Sequence, residues 1–134
     1  MDIYELSEAM DALRSDDVTF YVHLTEIDKG DKINDNGIIL EDNRLFSAVN
    51  PLEESFYLNP EEYVTNKLGS PQTRNKDLMV IVASMLGEEN TLVQRHGNMY
   101  VIPKENIVGY LNLHNNTFTN NENSEYDINS YTLW

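Results

Sequence analysis

An unbroken apolar run, Leu78-Met79-Val80-Ile81-Val82-Ala83, stands near the middle of the chain. A strand with one face in water alternates apolar and polar side chains, and this run does not. It is short and rich in β-branched residues, so it predicts a strand buried on both faces. A buried helix would need about 10–12 residues and caps, which the polar flanks leave no room for. Lys76 and Asp77 precede the run, and a stretch containing Gly87, Glu88 and Glu89 follows it.

Two periodicities organise the first quarter of the chain. Ile3, Leu6, Met10 and Leu13 recur at spacings of three and four, which predicts an amphipathic helix over 2–14. Asp2 and Glu5 in its first turn and Arg14 in its last suit the helix dipole. Residues 18–25 then alternate. Phe20, Val22 and Leu24 share one face of a strand, and Thr19, Tyr21, His23 and Thr25 share the other. A short helix around Lys32-Ile33-Asn34 is expected to stop at Gly37 in the left-handed conformation, with Ile38-Ile39-Leu40 extended after it.

Further elements follow from turn and cap chemistry. Leu45-Phe46-Ser47-Ala48-Val49 reads as a short strand. Asn50-Pro51-Leu52-Glu53 and Asn59-Pro60-Glu61-Glu62 each place a capping Asn before a helix-starting Pro, so both predict helix starts. The second helix is expected to close at Gly69, with a polar loop over 70–75. His96-Gly97 separates two apolar-rich segments as a hairpin turn would. Pro103-Lys104-Glu105-Asn106 reads as a turn, and 107–113 as a final strand. Beyond it the chain is Asn-rich and acidic and reads as a loosely ordered tail. Its end, Tyr131-Thr132-Leu133-Trp134, is expected to dock back on the domain or to anchor a partner.

Composition narrows the class of partner. The 134 residues carry 23 Asp and Glu against 9 Lys and Arg, a formal charge of −14. Duplex nucleic acid and anionic membranes are poor partners for such a chain, because phosphate contacts need Lys and Arg. A basic protein surface is a good one. There is no Cys, hence no disulfide, thiolate ligand or Cys nucleophile, which suits a reducing cytoplasm. No export signal is expected at the N-terminus, and no apolar run approaches the roughly 18–20 residues of a membrane span.

Chemistry-bearing motifs are sparse. There is no phosphate-binding Gly loop, no His-Glu-x-x-His pair and no Ser elbow. Asp28, Asp31 and Asp35 with Asn34 and Asn36 gather oxygen ligands. They lack the spacing and the closing Glu of a calcium loop, so no metal is expected. His23 is the leading single candidate, flanked at two residues on either side by the hydroxyls of Tyr21 and Thr25. It is suited to bonding a ligand hydroxyl or to satisfying a neighbour in the fold.

The order of segments adds a second line. Phe20-Tyr21-Val22-His23-Leu24-Thr25, then a short helix with Ile33, then Asn36-Gly37-Ile38-Ile39 and Leu45-Phe46-Ser47, resembles the start of the ADP-ribosyltransferase-like fold. The DNA-modifying and RNA 2′-phosphotransferase-like branches are the ones it is similar to. The apolar strand at 78–83 and the segment Met99-Tyr100-Val101-Ile102-Pro103 look similar too, so the resemblance spans 18–113 in outline. It implies NAD as cofactor, with His23 holding the nicotinamide ribose beside Thr25, and Phe46 or Tyr57 stacking on the nicotinamide. The catalytic Glu of that family falls at Asn98 or Met99 here. Asn98 bonds but carries no charge, so the resemblance implies a variant or lost transferase. Glu88 or Glu89 is the alternative source of a carboxylate.

The expectation is therefore an α+β domain over 1–114 with a mixed, mostly antiparallel core of about five or six short strands. An N-terminal helix and two short helices after residue 50 complete it, with a tail over 115–134. The functional expectation is a small acidic cytoplasmic binding or inhibitor protein, of phage or defence type, occupying a basic site on a partner without a cofactor. The alternatives are an NAD-dependent ADP-ribosyltransferase centred on His23, and an immunity-type domain without a pocket.

Overall fold

The apolar run is the third of five strands in the larger of two antiparallel sheets. The computed structural model describes residues 1–41, 49–68, 76–126 and 128. The strands are β1 (Val18–Thr25), β2 (Ile38–Glu41), β3 (Asn50–Pro51), β4 (Leu78–Met85), β5 (Gln94–His96), β6 (Met99–Ile102), β7 (Ile107–Asn112) and β8 (Phe118–Asn120). The helices are α1 (Ile3–Arg14), α2 (Gly30–Asn36), α3 (Ser55–Leu58) and α4 (Pro60–Leu68). One sheet has the order β3-β1-β4-β7-β8 and the other β2-β6-β5. The architecture is α+β, with the N-terminal helix and two helices after residue 50 as the sequence predicts. Short edge strands and the small second sheet raise the strand count among the described residues to eight.

Both faces of β4 are covered. Met79, Ile81 and Ala83 lie in one apolar cluster with Ile3, Leu6 and Met10 of α1, Phe56 of α3 and Val64 of α4. Val80 and Val82 lie in a second cluster with Ile33, Ile38, Ile102 and Ile107. Residues 78 to 83 are all 0–1% exposed, which is why no polar residue interrupts them. The eight registered pairs of β1 and β4 sort β1 as its alternation requires. Phe20 and Val22 meet Ala83 and Ile81 on the helix side, and Tyr21 and His23 meet Val82 and Val80 on the other.

Against β7 the register slips at Ile81/Val82, so that Val108 is an extra residue. The bulge lets Val108 and Leu111, three apart, both enter the helix-side cluster, while Ile107 and Tyr110 face the second. Gly109 makes the bulge possible. Its φ is 152°, and a Cβ there would stand 2.2 Å from the Thr119 carbonyl oxygen.

Helix α1 is capped as its sequence requires. The Asp2 carboxylate accepts from the Glu5 N–H at 2.8 Å, and the Glu5 side chain accepts from the Asp2 N–H. At the start of α4, Asn59 Oδ1 accepts from the Glu62 N–H at 3.2 Å. The parallel expectation at Asn50-Pro51 is corrected. These two residues form the edge strand β3 opposite Tyr21 and Val22, and the helix begins at Ser55. The Leu52 N–H donates to the Phe20 carbonyl at 3.1 Å, so the backbone here is claimed by β1. An edge strand tolerates a Pro that a helix start also accepts.

Gly37 ends α2 but not in the left-handed helical conformation, since φ is 80° and ψ −174°. Only Gly occupies that region readily. A Cβ would lie 2.2 Å from the Ile102 carbonyl oxygen, so α2 turns into β2 against β6 without a side chain between. The hairpin of β5 and β6 pairs His96 with Met99, placing Gly97-Asn98 in the turn, one residue later than expected. Gly97 has φ 65°, as the first position of a type II′ turn requires.

The loosely ordered tail is corrected for residues 115–126. Strand β8 pairs with β7, and Phe118 and Ile128 are buried in the helix-side cluster. The asparagines supply turn and core hydrogen bonds. Asn112 Oδ1 accepts from the His114 N–H at 2.9 Å, and Asn115 Oδ1 from the Thr117 N–H at 3.1 Å. Asn121, 3% exposed, donates from Nδ2 to the Lys104 and Ile107 carbonyls at 3.0 and 2.8 Å. The strand expected at 45–49, except Val49, the Gly69 stop, the 70–75 loop and the Tyr131–Trp134 end lie outside the described residues.

Asn121→Ala removes the side-chain donor to the buried Ile107 carbonyl and to the Lys104 carbonyl and is expected to cost about 2 kcal/mol. Glu122→Ala, at an exposed neighbour, is expected to stay within about 0.5 kcal/mol. Urea titrations of both variants make the comparison, and equal midpoints would detach the segment after residue 114 from the cooperative unit.

Candidate functional site

Two surfaces on opposite sides of the larger sheet concentrate chemistry. The first is a cleft on the side away from α1. Strand β1 contributes His23, Leu24 and Thr25, the turn before α2 gives Lys29, and α2 gives Lys32, Ile33 and Asn36. Gly37 and β2 residues Ile38, Ile39 and Leu40 form the facing wall, and Lys76 enters just before β4. The cavity measures about 460 Å³, within the range of roughly 300–1,000 Å³ common for small-molecule sites.

The cleft lies where the alternation of β1 points His23. Its strand partner is Val80, deep in the second apolar cluster, so His23 emerges from a rigid, fully covered backbone. Thr25, 5% exposed, follows two residues later on the same side. Of the site residues proposed from sequence, the structure brings these two together. Tyr57 lies on α3, across the sheet, against the helix-side cluster. Asn98 is exposed in the β5–β6 turn and is not among the residues lining the cleft. Phe46 lies outside the described residues. Glu88 and Glu89 are exposed beyond the far end of β4, and Glu89 accepts from the Gly87 N–H at 3.2 Å.

Sequence reasoning missed the three lysines. Lys29 and Lys32 are three apart in a segment that also carries Asp28, Asp31 and Asp35, so their charge looks cancelled on paper. The turn and α2 separate the signs. Both lysines face the cleft, whereas Asp31 accepts from the Tyr110 hydroxyl at 2.6 Å on the β7 side. A helical projection would have put Lys29 and Lys32 on one face. It would not have brought in Lys76, which is 44 residues on by its number. Lys76 stands 3.7 Å from Glu26. Among the described residues no group of three or more His, Asp or Glu is arranged to hold a metal ion.

The second surface is the outside of the helical layer. Glu5, Glu8 and Asp11 of α1, Glu53 and Glu54 ahead of α3, and Glu61 and Glu62 of α4 are all exposed. The elements are tied together there. The Tyr4 hydroxyl donates to Glu61 at 2.6 Å, and Arg14 bonds Asp11 at 3.1 Å and Glu54 at 2.6 Å. The Arg14 guanidinium also lies 4.0 Å over the Tyr57 ring, which meets Phe56 edge-on at 5.6 Å. Amid the carboxylates, Leu58 is 80% and Tyr4 49% exposed.

Burial raises the Tyr57 phenol, against the lowering pull of Arg14. Burial also pushes Tyr63 up to about 12, with the Glu53 charge adding to it. No helix among the described residues is long and apolar enough to cross a membrane. No protein-family model, curated protein or solved structure matches the chain.

The tyrosines give the helical layer an alkaline limit. An unfolded Tyr63 ionises near its ordinary value of 10, while the folded one keeps its proton to about 12. The stabilising contribution is whole below pH 10 and is lost as pH rises toward 12. Thermal melts between pH 9 and 11.5 are expected to show a falling Tm. Tyr63→Phe is expected to flatten that fall, and an unchanged slope in the variant would refute the assignment.

Proposed function

We propose that this chain is a protein-binding module that occupies a basic surface of a partner with its acidic helical layer. The observation that carries the reading is the exposed Leu58 and Tyr4 set among seven carboxylates on α1, ahead of α3 and on α4. An apolar centre inside a charged rim is the common anatomy of a protein interface. Arg14, the cation among the layer's described side chains, is engaged by Asp11, Glu54 and the Tyr57 ring. The field toward solvent is therefore set by the carboxylates.

That field acts first on encounter. A formal charge of −14 speeds approach to a cationic partner and repels nucleic acid and anionic membrane. Specificity then falls to Leu58 and Tyr4, whose apolar surface needs a matching pocket to leave water. An inhibitor that blocks a basic site needs no catalytic group of its own.

The test uses the partner captured on the immobilised chain and then purified. The double variant Glu8→Lys/Glu61→Lys is expected to slow association about tenfold or more at low salt, with the gap closing as salt rises. Leu58→Ala is expected to speed dissociation with little effect on association. The reversals Glu105→Lys and Glu122→Lys, away from the layer, are expected to have at most a threefold effect. Equal affinity across all variants would sink the reading.

A further inference from the structure

The cationic cleft is independent of the helical layer and lies on the other side of the sheet. We propose that it binds a small organic phosphate, a phosphomonoester carried on an apolar or aromatic body.

Charge segregation is the first argument. Acidic residues outnumber basic ones 23 to 9, yet the described lining contains Lys29, Lys32, Lys76 and His23 and no carboxylate. Three other clefts among the described residues each include at least one: Asp17 and Glu54 beside Arg14, Glu53 and Glu62 beside Tyr63, and Glu8 beside Tyr4. Among the described residues Lys29 and Lys32 have no carboxylate within ion-pair distance, while Lys76 shares its charge with Glu26 at 3.7 Å. Two of the three ammonium groups are thus available to an anion.

Convergence is the second. The lysines come from the turn before α2, from α2 itself and from the approach to β4. They line one cleft, whose facing wall forms where Gly37 turns α2 into β2 with its backbone against Ile102. Ammonium groups act as point charges with freely rotating donors, which suits the several oxygens of a phosphate. The hydroxyl of Thr25 and the amide of Asn36 add neutral hydrogen-bonding groups.

The walls give the third. Leu24, Ile33, Ile38, Ile39 and Leu40 give the lining apolar surface as well. Ile39 is 46% exposed, so this lining offers apolar surface that the body of a ligand can cover. A bare inorganic anion would leave that wall wet. A polyanion is disfavoured by the acidic exterior, whereas a small ligand fits inside the range of the local charges, about 8–10 Å at physiological salt.

Titration of the full-length, isotope-labelled chain with phenyl phosphate, followed by amide chemical shifts, tests the assignment. Shifts are expected at Leu24, Thr25, Asn36, Gly37 and Ile39, with saturation below millimolar concentration. Phenol and inorganic phosphate, each carrying half of the ligand, are expected to bind about tenfold or more weakly. Benzoate separates phosphate from carboxylate, and binding as tight as that of phenyl phosphate would overturn the assignment. Lys29→Gln/Lys32→Gln is expected to weaken phenyl phosphate about tenfold or more. Lys29→Arg/Lys32→Arg is expected to stay within about threefold, showing that charge is what is lost. No shifts at these amides, shifts confined elsewhere, or equal affinity in the Gln variant would each overturn it.

Discussion

The two-sided burial of β4 is the constraint on which the remaining structure depends. A strand covered on one face could sit at an edge or under a single helix. A strand with both faces at 0–1% exposure across residues 78 to 83 must have a layer on each side. The helices supply one layer, and α2 with the small sheet supplies the other. Both candidate surfaces inherit their positions from this. The acidic helical layer is outward of one face, and the cationic cleft opens beside the other. Strand β1 serves both, since its alternating residues feed each layer through eight registered pairs with β4.

What was legible in the sequence was the part written in local periodicity and caps. The run at 78–83, the alternation of 18–25, the 3–4 spacing of α1 and the Asn59-Pro60 helix start each state a preference that the tertiary fold also satisfies. Where two structures share one local signal, the sequence alone could not choose. Asn50-Pro51 serves a helix start and an edge strand equally, and the free hydrogen-bonding edge of β1 decided for the strand. The second sheet was legible as segments but not as a sheet. Its strands are three or four residues long, and the pairing of β2 with β6 leaves no local signal.

The asparagines after residue 112 show how composition misleads. Low hydrophobicity and many polar amides describe a disordered tail, but they also describe a chain making successive tight turns. The distinction lies in single positions. Phe118 and Ile128 are the apolar anchors, and Asn121 ties the segment to a neighbouring loop and strand through the Lys104 and Ile107 carbonyls. Two apolar residues in a polar stretch suffice because β7 already offers an unpaired edge. The order is supplied by the partner strand and not by the segment's own propensity.

The candidate site was legible at two residues, His23 and Thr25, and illegible as a whole. His23 stood out because a strand alternation assigns it a side, and the structure places it on that side. The lysines did not stand out, because net charge along a segment is an average over faces. Residues 28 to 35 alternate in sign, so the average says little, while the turn into α2 resolves it into a lysine side and an aspartate side. The same averaging hides the opposite case in the helical layer, where one arginine among acids looks like partial neutralisation. In the structure Arg14 is turned inward over Tyr57 and spends its charge on Asp11 and Glu54. A strongly acidic chain can therefore hold a cationic cleft and a nearly pure anionic face at once. The condition is a rigid sheet between them, and β4 provides it.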